Sequence, residues 1–89
     1  MNTEISEITL RDEQTKKQNV LVVYNDDVNT FDHVITSLVH VCNHEPIQAE
    51  QCAYIIHNNG KCDVKNGDYD DLVPMCSSLL ELGLSAEIE

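Results

Sequence analysis

Apolar residues recur along this chain in three rhythms, and each predicts a different element. Val20, Leu21, Val22, Val23 and Tyr24 form an unbroken β-prone run, the pattern of a strand buried on both faces. The run exits into Asn25, Asp26 and Asp27, so these polar side chains are held on a rigid support. From Phe31 the spacing changes: Phe31, Val34, Ile35, Leu38, Val41 and Cys42 recur at three and four, one face of an amphipathic helix. Asn29 or Thr30 is its expected N-cap, and Asp32 suits the positive end of the helix dipole. Pro46 opens a second helix whose apolar stripe is Ala49, Cys52, Ala53 and Ile56, and Gly60 supplies its left-handed stop. The two helices form a hairpin.

Cys62 and Val64 alternate with polar neighbours in a short strand, Asn66-Gly67 marks a turn, and Asp68 leads into a third helix. Leu72, Met75, Cys76, Leu79 and Leu80 repeat the helical spacing until Gly83. Pro74 conflicts with a helix capped at Asp68, so either the helix kinks there or its regular part begins nearer Asp71. Leu84, Ala86 and Ile88 then alternate with Ser85, Glu87 and Glu89 as a half-buried final strand. The order is β-α-α-β-α-β, which predicts an α/β (α+β sandwich) domain: a three-stranded antiparallel sheet, first strand central, packed on helices. Residues 1–17 lack sustained periodicity and read as a mobile arm anchored only by Ile5, Ile8 and Leu10, leaving residues 18–89 as the domain.

With 89 residues there is room for one core and for burial of about 60–65% of the unfolded surface. Lys and Arg total 5 against 16 Asp and Glu, a net charge of −11, which repels nucleic acid and anionic membranes and favours amines, basic peptides or metal ions. Cys42, Cys52 and Cys76 fall on apolar helix positions, so these thiols and Cys62 are expected to be reduced. No export leader opens the chain and no apolar run reaches membrane-spanning length, which predicts the cytoplasm.

Several chemistries are open at the motifs. Asn25, Asp26 and Asp27 are suited to bind a cation, to orient a peptide amine, or to form an Asx-type turn with solvated carboxylates. His57, near the end of the second helix, is either a ligand-binding ring or a surface imidazole favoured by the C-terminal dipole. His40, Cys42 and His44 tempt a metal reading. On a helix, however, Cys42 faces the core while the two histidines point elsewhere, and two ligands do not close a zinc site. No exposed cysteine pairs with a base in a recognisable nucleophile motif, and the three glycines stand isolated at turns, so no enzyme, phosphate loop, metal or cofactor is expected.

Taken together, the stretch Val22 to Phe31 (VVYNDDVNTF) and the later Ile55 to Lys61 (IIHNNGK) resemble the ClpS family of adaptors. That family delivers substrates bearing destabilising N-terminal residues to a Clp ATPase and protease. The resemblance covers about residues 18–89 and implies a small sandwich similar to the C-terminal domain of the ribosomal stalk protein. It places Asn25, Asp26 and His57 around the free α-amino group of a bound peptide, with Asp27 shaping the turn. Its pocket for the first side chain maps to Phe31, Val34, Ala53, Ile56 and Leu84, with Asn29 at the polar edge. Phe31 replaces the usual rim methionine, a stiff ring that narrows the entrance, and Ala53 replaces a larger residue, which opens room and implies Phe, Tyr, Trp and Leu as preferred ligands. Asp70 and Asp71 are the implied docking residues for the N-terminal domain of a Clp-family AAA+ ATPase, although Met75 stands where a lysine can occur. The implied protein is a monomeric adaptor without chemistry of its own. Two other readings compete: a stalk-like interaction domain of the same fold that needs no free amine, and an acidic metal or redox protein using His40, His44 and cysteines.

Overall fold

A computed structural model describes residues 18–89; the arm and its anchors Ile5, Ile8 and Leu10 lie outside the described residues. Six elements follow in the expected order: β1 (Asn19–Tyr24), α1 (Phe31–Cys42), α2 (Pro46–Asn59), β2 (Lys61–Gly67), α3 (Tyr69–Glu81) and β3 (Ser85–Ile88). The sheet runs β2-β1-β3 with both pairings antiparallel, so the apolar first strand is central. Its register sets Val23 opposite Cys62 and Ala86, and an irregularity between Leu21 and Val22 interrupts the β1–β2 ladder.

Leu21, Val22 and Val23 are at most 2% exposed, as a strand covered on both faces requires. Leu21 and Val23 join a core with Leu38, Cys42, Ala49, Cys52, Ile56, Val64, Leu72, Leu79, Leu84 and Ala86, while Val22 is buried outside that cluster. The helix ends are fixed locally. Thr30 caps α1, its hydroxyl accepting from the His33 amide at 3.1 Å. Pro46 opens α2, and Gly60 closes it with φ at 94°, a conformation that favours glycine.

Four expectations change. The Asn66-Gly67 pair does not turn the chain: it finishes β2, because Asn19 and Val20 of β1 supply partners for both residues. The helix after it starts at Tyr69 and runs through Pro74. Pro74 therefore withholds one N–H from the Asp70 carbonyl, and a regular helix beginning at Asp71 is ruled out. Leu80 is exposed, since Leu79 takes the core position and the next residue lies about 100° further round the helix. His44 does not share a helix with His40. Asn43 adopts the left-handed conformation (φ 58°) and stops α1, and His44 turns inward, where its Nε2 meets the Val64 carbonyl at 2.7 Å.

Candidate functional site

The loop from Asn25 to Thr30 joins the exit of β1 to the start of α1, and it is tied down at both ends. At one end the Asn25 amide donates to the Gly60 carbonyl at 2.8 Å, which locks the strand exit to the C-terminus of α2 where His57 stands. In the middle, Asp26 organises the turn: Oδ1 accepts from the backbone amides of Val28 and Asn29, both at 3.0 Å. The Asn29 side-chain amide donates to both Asp26 oxygens and to the Gly83 carbonyl at 2.9 Å. Ser85 donates its hydroxyl to Asp26 Oδ2 at 3.1 Å. The Asn29 backbone amide holds the Asp26 carboxyl below its ordinary pKa, helped by Val28, the Asn29 side chain and Ser85 and opposed by burial. The hydrogen bonds in the turn thus converge on the Asp26 carboxylate, whereas Asp27 is exposed.

A second tie comes from α1. His33 Nε2 lies 2.8 Å from the Leu82 carbonyl and donates to it. The turn between α3 and β3 is therefore fastened to the loop by His33, Asn29 and Ser85 together.

Between the loop, α1 and α2 lies a cavity of about 300 Å³ lined by Asn25, Asn29, Phe31, Val34, Ala53, Ile56 and His57. Seven of the residues named from the sequence share it. Asp26 and Leu84 line an adjoining recess of about 20 Å³ together with Val23, Tyr24, Asn25, Asn29, Val34 and Ile56. The floor is apolar because Val34 and Ile56 turn inward from facing helices and Ala53 contributes only a methyl group. The rim is polar, with Asn25 and His57 both exposed. Asp70 and Asp71 line neither space; they occupy the exposed first turn of α3. At the mouth the Phe31 ring meets the Tyr54 ring edge to face, centroids 5.2 Å apart and planes at 75°.

The arrangement offers recognition groups and no nucleophile. Burial pushes the Cys42 thiol up to about 11. Burial and the neighbouring Cys52 thiol push Cys62 up to about 12, and burial also raises Cys76. Such thiols stay protonated and inert near neutral pH. Among the described residues no group of three or more metal-ligating side chains forms, and no helix is long and apolar enough to cross a membrane.

Tyr54, His33 and Ser85 were not marked by the sequence. His33 lies 49 residues and Ser85 59 residues from its partner, so no local pattern announces either contact.

A structural class follows from these features: a small sandwich that displays an apolar cavity with a polar rim at the end of its central strand. The family model for ATP-dependent Clp protease adaptor protein ClpS matches residues 14–87. The chain belongs to the ClpS family, a family of adaptors and not of enzymes. Among solved structures, Agrobacterium tumefaciens ClpS2 bound to L-phenylalaninamide is similar in fold, with a TM-score of 0.79 at 19% identity over 82% of this chain and 95% of that one. No curated protein sequence matches the chain.

Proposed function

We propose that the cavity captures the free N-terminal residue of a peptide or protein and that the adaptor hands its cargo to a Clp AAA+ ATPase for degradation. One observation carries this reading: amine acceptors and an apolar cavity share one wall, with Asn25 and His57 beside Phe31, Val34, Ala53 and Ile56. An ammonium group needs acceptors, and the Asn25 side-chain oxygen and a His57 ring nitrogen supply them at the rim. Asp26 contributes its negative charge from the adjoining recess while it holds Asn29 in place. The first side chain of the peptide fills the cavity, which suits Phe, Tyr, Trp and Leu and excludes β-branched Ile and Val by shape. The solved Agrobacterium protein holds an amino-acid amide with a free amine and an aromatic ring, a ligand of this chemistry.

Burial of one aromatic side chain contributes about 2–3 kcal/mol and the amine contacts about 1.5–3 more, so net affinity in the micromolar range is expected after ordering costs. On the delivery side, Asp70 and Asp71 on α3 would meet the N-terminal domain of the ATPase, and residues 1–17 would serve delivery without contributing to capture. The adaptor would act in the cytoplasm as a monomer.

Fluorescence anisotropy with a labelled peptide beginning in Phe tests capture, compared with its N-acetylated and Ala-starting versions. Micromolar binding that requires both the free amine and the bulky side chain supports the reading. Binding indifferent to acetylation would favour a stalk-like docking domain instead.

A further inference from the structure

Phe31 is the first residue of α1, directly after the Thr30 cap, and its ring lines the cavity while remaining 38% exposed. A ring in that place has two options. It can stand at the mouth, or it can rotate about its first side-chain bonds into the space left by the small Ala53. Apolar cavities large enough for a ring, about 150 Å³ when enclosed, take up benzene readily, so self-filling by Phe31 competes with any incoming aromatic group. The Tyr54 ring is its aromatic neighbour. It stands one position beyond Ala53 on α2, does not line the cavity, is 57% exposed, and receives Phe31 in an edge-to-face contact.

We propose that Tyr54 is a positioning residue for ligand choice: by bracing Phe31 at the mouth, it keeps the cavity wide enough for aromatic N-terminal side chains. The inference rests on the peptide-capture reading and adds to it a residue outside the cavity lining. Loss of the brace lets Phe31 occupy part of the space, which penalises Phe and Trp ligands, whereas the smaller, more adaptable Leu side chain still finds room.

Because Tyr54 is exposed, its replacement leaves the core intact, and a thermal unfolding curve matching that of the unsubstituted protein confirms it. Anisotropy titrations of the full chain and of Tyr54→Ala and Tyr54→Phe use labelled peptides beginning in Phe, Trp and Leu, each with its N-acetylated control. Tyr54→Ala is expected to weaken Phe and Trp peptides about three- to tenfold, the range set by an aromatic pair, and Leu peptides less than about twofold. Tyr54→Phe keeps the ring and is expected to keep the native ratio. An unchanged Phe-to-Leu ratio in Tyr54→Ala overturns the proposal, whether both affinities hold or both fall together. Failure of the parent reading shows separately, in the unsubstituted protein, as binding that ignores acetylation, and it removes this proposal as well.

Discussion

The Asn25 amide donates to the Gly60 carbonyl at 2.8 Å, and this one bond joins the two sequence motifs that build the cavity rim. Gly60 can present that carbonyl because it ends α2 at φ 94°, with open space where a β-carbon would sit. Any cost of Gly60→Ala is therefore backbone strain and not collision, about 1–2 kcal/mol. Urea denaturation is expected to show that loss of stability, and peptide affinity to fall as the Asn25 and His57 sides of the rim lose their common anchor. Unchanged stability would show that the chain relaxes at this position without strain.

Asp26 makes acid stability a readout of the loop. Its carboxyl titrates below the ordinary value of 3.8 in the folded protein because Asn29 and Val28 amides, the Asn29 side chain and Ser85 all donate to the charged form. A folded pKa lowered in this way contributes stability above the unfolded pKa, and that stability is lost as pH falls through the folded value. The urea midpoint of the unsubstituted protein should therefore fall more steeply than that of Asp26→Asn as the pH drops below the unfolded carboxylate value of about 3.9 and through the lower folded one. Parallel curves for the two proteins would remove Asp26 as the group responsible.

The cysteines give a prediction of reactivity. Burial holds Cys42 near 11 and Cys62 near 12 as protonated thiols, and only a thiolate attacks a disulfide reagent. At pH 8 the native protein is expected to react with an aromatic disulfide reagent at least about tenfold more slowly than the same protein in 8 M urea. Fast labelling of all four thiols in the native protein would contradict their placement.

Local chemistry explains what was legible in the sequence. The central strand, the Thr30 cap, Pro46 at the start of α2 and Gly60 at its end depend on neighbours within four residues, and each appears where the pattern put it. Seven of the residues named for the site share one cavity for a related reason: β1, α1 and α2 are consecutive, and the Asn25–Gly60 bond closes them on each other. What escaped depends on distant chain. Asn66-Gly67 looks like a turn until Asn19 and Val20 extend the ladder past it. His44 reads as a surface histidine until Asn43 breaks the helix and the ring finds the Val64 carbonyl across the fold. The Asx-type turn offered at Asn25-Asp26-Asp27 was legible because the Val28 and Asn29 amides lie within three residues of Asp26, whereas its bond from Ser85, 59 residues away, was not.

Ala53 is the smallest side chain lining the cavity, so its size is the direct test of the capture reading. It is 3% exposed and lines the space beside Ile56 on the same helix, with nothing longer than a methyl group. Ala53→Leu adds three carbons into that space, each occupying volume that a ligand would otherwise desolvate for about 0.8 kcal/mol. Aromatic N-terminal peptides should therefore bind more weakly by about 2 kcal/mol, some thirtyfold. Because the added carbons fill a pre-existing cavity and not a packed interior, folding stability should hold or rise by up to about 1 kcal/mol. Anisotropy and urea denaturation on the same protein separate these effects. Weaker binding with intact stability is the signature of a filled pocket. A loss of both would mean that position 53 faces the packed core, with Phe31, Val34 and Ile56 serving as structural side chains.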